Sequence, residues 1–300
     1  MRTVFIHTNE KQMVGAHVSA YSMKRQASDP DSFDVQIIRK EDYSWFDDYE
    51  GRQYLREGGP HVWENDDLQS FTPLRFMPPE LMGYKGRAVV VDPDVFAIGD
   101  ICKLLDRDME GKAVLAKPRP GHKGYSDYIA TSVMLMDCEK LKHWHCQTMF
   151  NELFEWQRDY ELWMRLGDEP KESIGHLESI WNDFDRLEKD TQLLHNTKRR
   201  TQPWKSGLPI DFTNRLGLFG LLPAKWTPTK WITRVRLPGS YKQHPDNRQT
   251  NVFFAYLREC LDTGILDEQL VRKHMSSNHV RHDALDVVRT VPKVDEILAF

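Results

Sequence analysis

No apolar run in these 300 residues approaches the ~20 needed to cross a bilayer. The opening Met1-Arg2-Thr3-Val4-Phe5-Ile6 enters a strand pattern directly, without the layout of a signal peptide. Cysteine is scarce. Cys102, Cys138, Cys146 and Cys260 form no Cys-x-x-Cys pair, so they read as reduced thiols rather than as a zinc site or a disulfide framework. The expected location is therefore the cytoplasm. Internal repeats and low-complexity tracts are missing too, which sets aside solenoids and disordered assemblies. Net charge is small, at −4. What is present is a 40% hydrophobic content, enough for one large core or a core with an appendage, and nine tryptophans. That many indoles leave room for surfaces that stack on sugars or bases.

Strand-like and helix-like segments alternate through the first half. The patterning predicts strands at 3–7, 33–38, 88–91, 113–117, 131–136 and 192–195, and helices at 13–27, 73–84 and 140–166. Such alternation implies an α/β fold with a mostly parallel central sheet. The acidic, aromatic stretch 40–70 reads as a long irregular connection on the ligand side. In 140–166, Met149, Leu153, Trp156, Tyr160 and Trp163 recur at helical spacing and read as a core stripe. Beyond about 210 the alternation gives way to a proline- and tryptophan-rich stretch and helices near 251–262, 267–275 and 282–289.

The chemistry concentrates at "AVVVDPDVFAIGD", residues 88–100. Asp92-Pro93-Asp94 sits where a buried strand must stop, and the proline cannot continue a sheet ladder. Two carboxylates there either cap a turn or bind a hard cation such as Mn²⁺ or Mg²⁺. A second stretch, "LLHNTKRRTQPWKSG" at 193–207, offers a strand-end histidine, a run of bases and a glycine loop. An imidazole completing a metal shell opposite carboxylates, with cations closing over phosphate oxygens, suits a metal-bound diphosphate. An Asp-x-Asp is also found in haloacid-dehalogenase-type phosphatases. Those carry Thr or Val two residues after the second acid, usually at the first strand, whereas Phe96 stands here, deep in the chain.

"HNTKRRTQPWKSG" resembles the His-x-x-Gly-x-x-Lys-Pro-Trp signature of glycosyltransferase family 8, and "VVVDPDVFAIGDI" is similar to its hydrophobic-Asp-x-Asp-hydrophobic-Gly-Asp-Ile run. "FTPLRFMPPELMGYKGR", "TSVMLMDCEKLKHW" and "ESIWNDFD" resemble further segments in the same order, so the likeness spans about residues 3–207. The resemblance implies a GT-A type, Rossmann-like nucleotide-sugar-binding fold over 1–210, with 211–300 as a C-terminal helical, basic and aromatic extension packed on its acceptor side. It also implies a retaining, divalent-metal-dependent hexosyltransferase using a UDP-sugar. Carried over by position, Asp92, Asp94 and His195 would hold Mn²⁺ or Mg²⁺. Thr8 and Asn9 would lie near uracil and ribose, Arg75 and Lys198 at phosphate or sugar, and Thr131 and Ser132 beside the transferred sugar. Asp94, Arg75 and Asp159 are the candidate catalytic residues. Lys198 stands where the family has a glycine, and Thr131-Ser132 replaces its Asn-x-Gly.

Between His195 and Arg248 eleven bases face two acids, Asp211 and Asp246, with Trp204, Trp226, Trp231 and Tyr241 interleaved. That tract suits an anionic acceptor: a surface glycan or lipid-linked saccharide at the inner face of a membrane, or a polyanion such as modified DNA. A non-catalytic nucleotide-sugar-binding protein is the alternative from another class.

Overall fold

The computed structural model describes residues 2–212, 214–216, 233–235 and 238–299, the two short middle segments by backbone alone. Six strands form the central sheet: β1 (Arg2–Thr8), β2 (Asp34–Arg39), β5 (Arg87–Val91), β7 (Val114–Pro118), β8 (Ile129–Asp137) and β9 (Ile174–His176), in the order β2-β1-β5-β8-β7-β9. The β1–β2, β1–β5 and β7–β9 pairs are parallel, and only β8 runs against its neighbours. This is the mixed α/β, mostly parallel sheet that the alternation predicts. Ala88 to Val91 have no exposure at all, as a strand covered on both faces requires.

A second sheet joins β6 (Val95–Ala97), β11 (Leu193–His195) and β10 (Asp183–Phe184). The stretch 40–70 is less irregular than expected. It holds a hairpin of β3 (Gln53–Arg56) and β4 (Gly59–Val62), and buries Phe46, Tyr54 and Trp63. Backbone of β12 (Asn214–Leu216) pairs with β13 (Thr233–Val235). The basic residues Lys225, Lys230 and Arg236, expected at the acceptor, lie outside the described residues.

The helices before residue 200 are α1 (Met13–Arg25), α2 (Pro78–Leu81), α3 (Cys102–Leu105), α4 (Cys146–Phe154) and α5 (Tyr160–Met164). Two predicted helices are shorter than the periodicity implies. Pro73, Pro78 and Pro79 lack amide protons, so 73–84 becomes a 3-10 turn followed by α2. The 140–166 helix breaks into α4 and α5 at Trp156, which takes a left-handed φ of 62° and lies 48% exposed. The other four members of its stripe are buried.

The chain closes with α6 (Asn247–Asp262), α7 (Glu268–Ser276), α8 (Ala284–Thr290) and α9 (Val294–Ile297). These share a hydrophobic cluster with Val14 and Val18 of α1, Phe96 of β6 and Trp204. Trp204 stacks on Phe253 at 4.8 Å, and Tyr256 Oη donates to Ala97 O at 2.6 Å. The C-terminal helices thus brace the backbone that leads out of the Asp92–Asp94 turn.

α1 braces the turn from another side. A Cβ at Gly15 would lie 2.8 Å from Pro93 O, a backbone atom that cannot rotate away. Gly15→Ala is therefore expected to cost about 1–3 kcal/mol through overpacking. Thermal unfolding should register the loss, and a midpoint equal to the parent's would show that α1 has room to recede.

Candidate active site

The Asp92-Pro93-Asp94 turn is stitched to both sheets. Asp92 N donates to Ser132 O at 3.0 Å, which carries the β5–β8 ladder one residue past its end. Pro93 donates nothing. Asp94 O then accepts from Asn196 N at 3.0 Å, beside β11. Because β6 pairs antiparallel with β11, His195 lies opposite Val95. Residues a hundred positions apart are brought together by this pairing.

Arg75 holds Asp92. Its Nε donates to Asp92 Oδ1 at 2.9 Å, and Nη2 reaches Oδ1 and Oδ2 at 2.7 and 2.5 Å. Nη1 donates to Thr131 Oγ1 at 3.0 Å, and that hydroxyl donates to Met164 O at 2.6 Å. Burial alone would raise the Asp92 carboxyl, but the Arg75 charge and His7 overturn it and hold the group well below the usual carboxylate range. His7 is wholly buried, with Nε2 3.0 Å from Asp92 Oδ1, and burial lowers its pKa against the raising effect of that acid.

The second acid meets a histidine of fixed orientation. Asn182 Nδ2 donates to Ser132 Oγ at 2.9 Å, which turns its Oδ1 to His195 Nδ1 at 2.8 Å. With Nδ1 donating to that amide oxygen, a metal-binding imidazole would turn its Nε2 lone pair toward Asp94, whose Oδ1 lies 3.2 Å from Nε2. Two electron-pair donors facing each other suit a cation between them. Asp92 Oδ2 also keeps a lone pair after its Arg75 bond. Ligand atoms of Asp92, Asp94 and His195 all lie within 4.8 Å of one another, and the donor set, hard oxygens with one imidazole, fits a divalent ion. Gln202 Nε2 sits 3.2 Å from Asp94 Oδ2 and would have to yield part of that carboxylate.

These groups open onto a cleft of about 400 Å³ that Arg75, Asp92, Asp94, Thr131, Ser132 and His195 all line. Other candidates fall elsewhere. Thr8 and Asn9 are buried, and Asn9 Nδ2 bonds Asp67 O, Leu68 O and Ser70 Oγ; Gln12 is the cleft residue from that segment. Asp159 does not reach the cleft. It caps α5, accepting from Glu161 N, Leu162 N and Gly58 N, so its carboxylate is spent on backbone amides. From the loop after His195, Arg199 rather than Lys198 lines the cleft, and Lys205 is fully buried against Asp211 at 2.5 Å. Thr131 and Ser132 have internal partners for their hydroxyls, which hold Arg75 and Asn182 in place.

The structure adds residues that the spacing did not single out. Arg56, Arg119, Lys123 and Glu161 line the cleft, and Asn182 stands behind His195. The basic, Gly- and Pro-rich "KPRPGHKG" at 117–124, directly after a predicted strand, is the signal that could have found two of them. By contrast His143 and His145 lie over half exposed, beside Glu169 and Tyr84, and form no joint site.

No protein-family model matches this chain, and no curated protein matches it. Solved structures do resemble it in part. The glycosyltransferase GlyE of Streptococcus pneumoniae TIGR4 aligns with 18% identity and a TM-score of 0.48, over 68% of this chain and 56% of that one. The galactosyltransferase LgtC, solved with donor and acceptor sugar analogs, aligns with 17% identity and a TM-score of 0.46, over 68% of this chain and 89% of its own. Mouse xyloside xylosyltransferase 1 aligns with 14% identity and a TM-score of 0.43, over 66% and 98%. The chain thus spans just over half the length of GlyE.

Proposed function

We propose that the protein is a retaining glycosyltransferase that moves a hexose from a UDP-sugar to an acceptor hydroxyl. The observation that carries this is the facing pair of Asp94 Oδ1 and His195 Nε2, with His195 Nδ1 fixed by Asn182, in the lining of a cationic cleft. The sequence likeness over 3–207 supports the same reading.

In this reading Asp94 and His195, with Asp92 Oδ2, would hold Mn²⁺ or Mg²⁺. Such an ion supplies charge neutralisation for the diphosphate and for its departure as a leaving group. Arg75 has one N–H left after its bonds to Asp92 and Thr131, enough to touch donor sugar or phosphate but not to act as a mobile base. Arg199 is placed to meet phosphate oxygens. The acceptor oxygen attacks the anomeric carbon on the face that UDP leaves, and its proton passes to the departing phosphate oxygen. No protein nucleophile is needed. The acceptor is read as a surface glycan or lipid-linked saccharide, met in part by the basic tract after residue 224.

Asp94→Asn keeps the shape and removes one charge, so metal and UDP binding should weaken together. Calorimetry of UDP with and without Mn²⁺ reads this, and equal affinity with equal metal dependence would overturn the ligand assignment. His195→Ala should abolish most Mn²⁺-dependent UDP binding, and Asn182→Ala should weaken it ~10–100-fold by freeing the ring it orients. His143→Ala and His145→Ala should leave it unchanged; parallel losses in all four would make His195 structural. Charge reversal at Lys225, Lys230, Arg234 and Arg236 should reduce transfer to acceptor while sparing UDP-sugar hydrolysis. Loss of both activities would remove the tract from acceptor binding.

A further inference from the structure

One wall of the cleft carries more positive charge than the diphosphate site explains. The connection between β7 and β8 supplies Arg119 and Lys123, and Arg56 of β3 joins them. Glu161 supplies the carboxylate there. It is 2% exposed, with Lys123 Nζ at 2.6 Å and Arg56 Nη2 at 3.4 Å. Arg119 has no carboxylate partner among the described residues. Its guanidinium lies 4.7 Å from the Phe184 ring centroid, with Nη1 3.4 Å from His122 Nε2. Three bases against one acid leave a surplus of two charges on this wall.

The wall is also built, not merely adjacent. Lys123 takes a left-handed φ of 52°, between Gly121 and Gly124 at 82° and 86°. A lysine is held in that region only where its surroundings over-determine it, and strain of this kind gathers at functional sites. Phe184 in turn packs against His195 at 5.4 Å, which ties Arg119 to the Asp94–His195 cluster through one ring. His122, between Arg119 and Lys123, has its pKa lowered by burial and then by those two cations. The local potential therefore disfavours a further positive charge.

We propose that the wall of Arg56, Arg119 and Lys123 recognises an anionic group, a carboxylate or phosphate, on a sugar substrate, over and above the donor's diphosphate. The proposal rests on the glycosyltransferase reading, in which the diphosphate is met by the Asp94–His195 cluster and Arg199. The anion can belong to the transferred sugar, as in a hexuronate, or to an acidic acceptor saccharide. A bidentate guanidinium with no carboxylate of its own, beside a positioned ammonium, is the chemistry that selects either.

Calorimetry on the full chain with Mn²⁺ separates the sources. One arm compares UDP-glucuronate and UDP-galacturonate with UDP-glucose and UDP-galactose. The other compares glucose 6-phosphate and glucuronate with glucose, on protein saturated with UDP. The anionic member should bind about tenfold tighter in one arm. That preference should shrink at least severalfold in Arg119→Gln and be recovered only in part in Arg119→Lys, which keeps the charge but not the bidentate fork. Arg119→Gln unpairs no carboxylate, so it tests recognition without disturbing Glu161. UDP binding with no anionic preference in either arm, or a preference that survives Arg119→Gln, would overturn the proposal and leave the glycosyltransferase reading standing. Absence of UDP binding would overturn both.

Discussion

The Arg75–Asp92 pair is the interaction on which the site's geometry turns. Burying a guanidinium and a carboxylate costs several kcal/mol of hydration each, and only near-ideal geometry with further hydrogen bonds recovers it. Here the geometry is bidentate, and Thr131 takes another donor of the same guanidinium. Asp92 is thereby fixed at the end of β5, with one oxygen lone pair still directed outward. Removing either partner would leave a buried charge without compensation. The pair thus does structural and electrostatic work at one position.

From that anchor the site extends by backbone pairing. Asp92 belongs to the large sheet through Ser132, while Asp94 belongs to the small sheet through Asn196. The turn is the joint between the two sheets, and a joint held on both sides sets the distance from Asp94 to His195. Packing reinforces it. α1 approaches at Gly15 with no space to spare, and α6 bonds the backbone of β6 through Tyr256. Elements that never touch the cleft therefore determine its dimensions.

The electrostatics of the cleft are graded. At one wall an acid and a neutral-capable imidazole face each other, suited to a cation. At another, bases outnumber acids, suited to an anion. A nucleotide sugar has both demands in a single molecule, since its diphosphate recruits a cation while its oxygens seek guanidinium and ammonium donors.

The sequence by itself determined the strand-helix alternation and the place of the two aspartates, because a buried strand interrupted by Asp-Pro-Asp has few other physical readings. It also singled out His195, which ends the short strand predicted at 192–195. What it could not determine was which polar groups remain free. Asp159 and Glu161 stand two residues apart, and only the start of α5 decided that the first caps backbone amides while the second enters the cleft. Arg199 and Lys198 are neighbours, and the turn of the loop chose between them. Asn182 and His195 come together through the parallel pairing of β10 with β11, a register that local spacing does not encode. Side-chain direction at loop and helix ends depends on packing from distant segments, and so it was settled by tertiary structure alone.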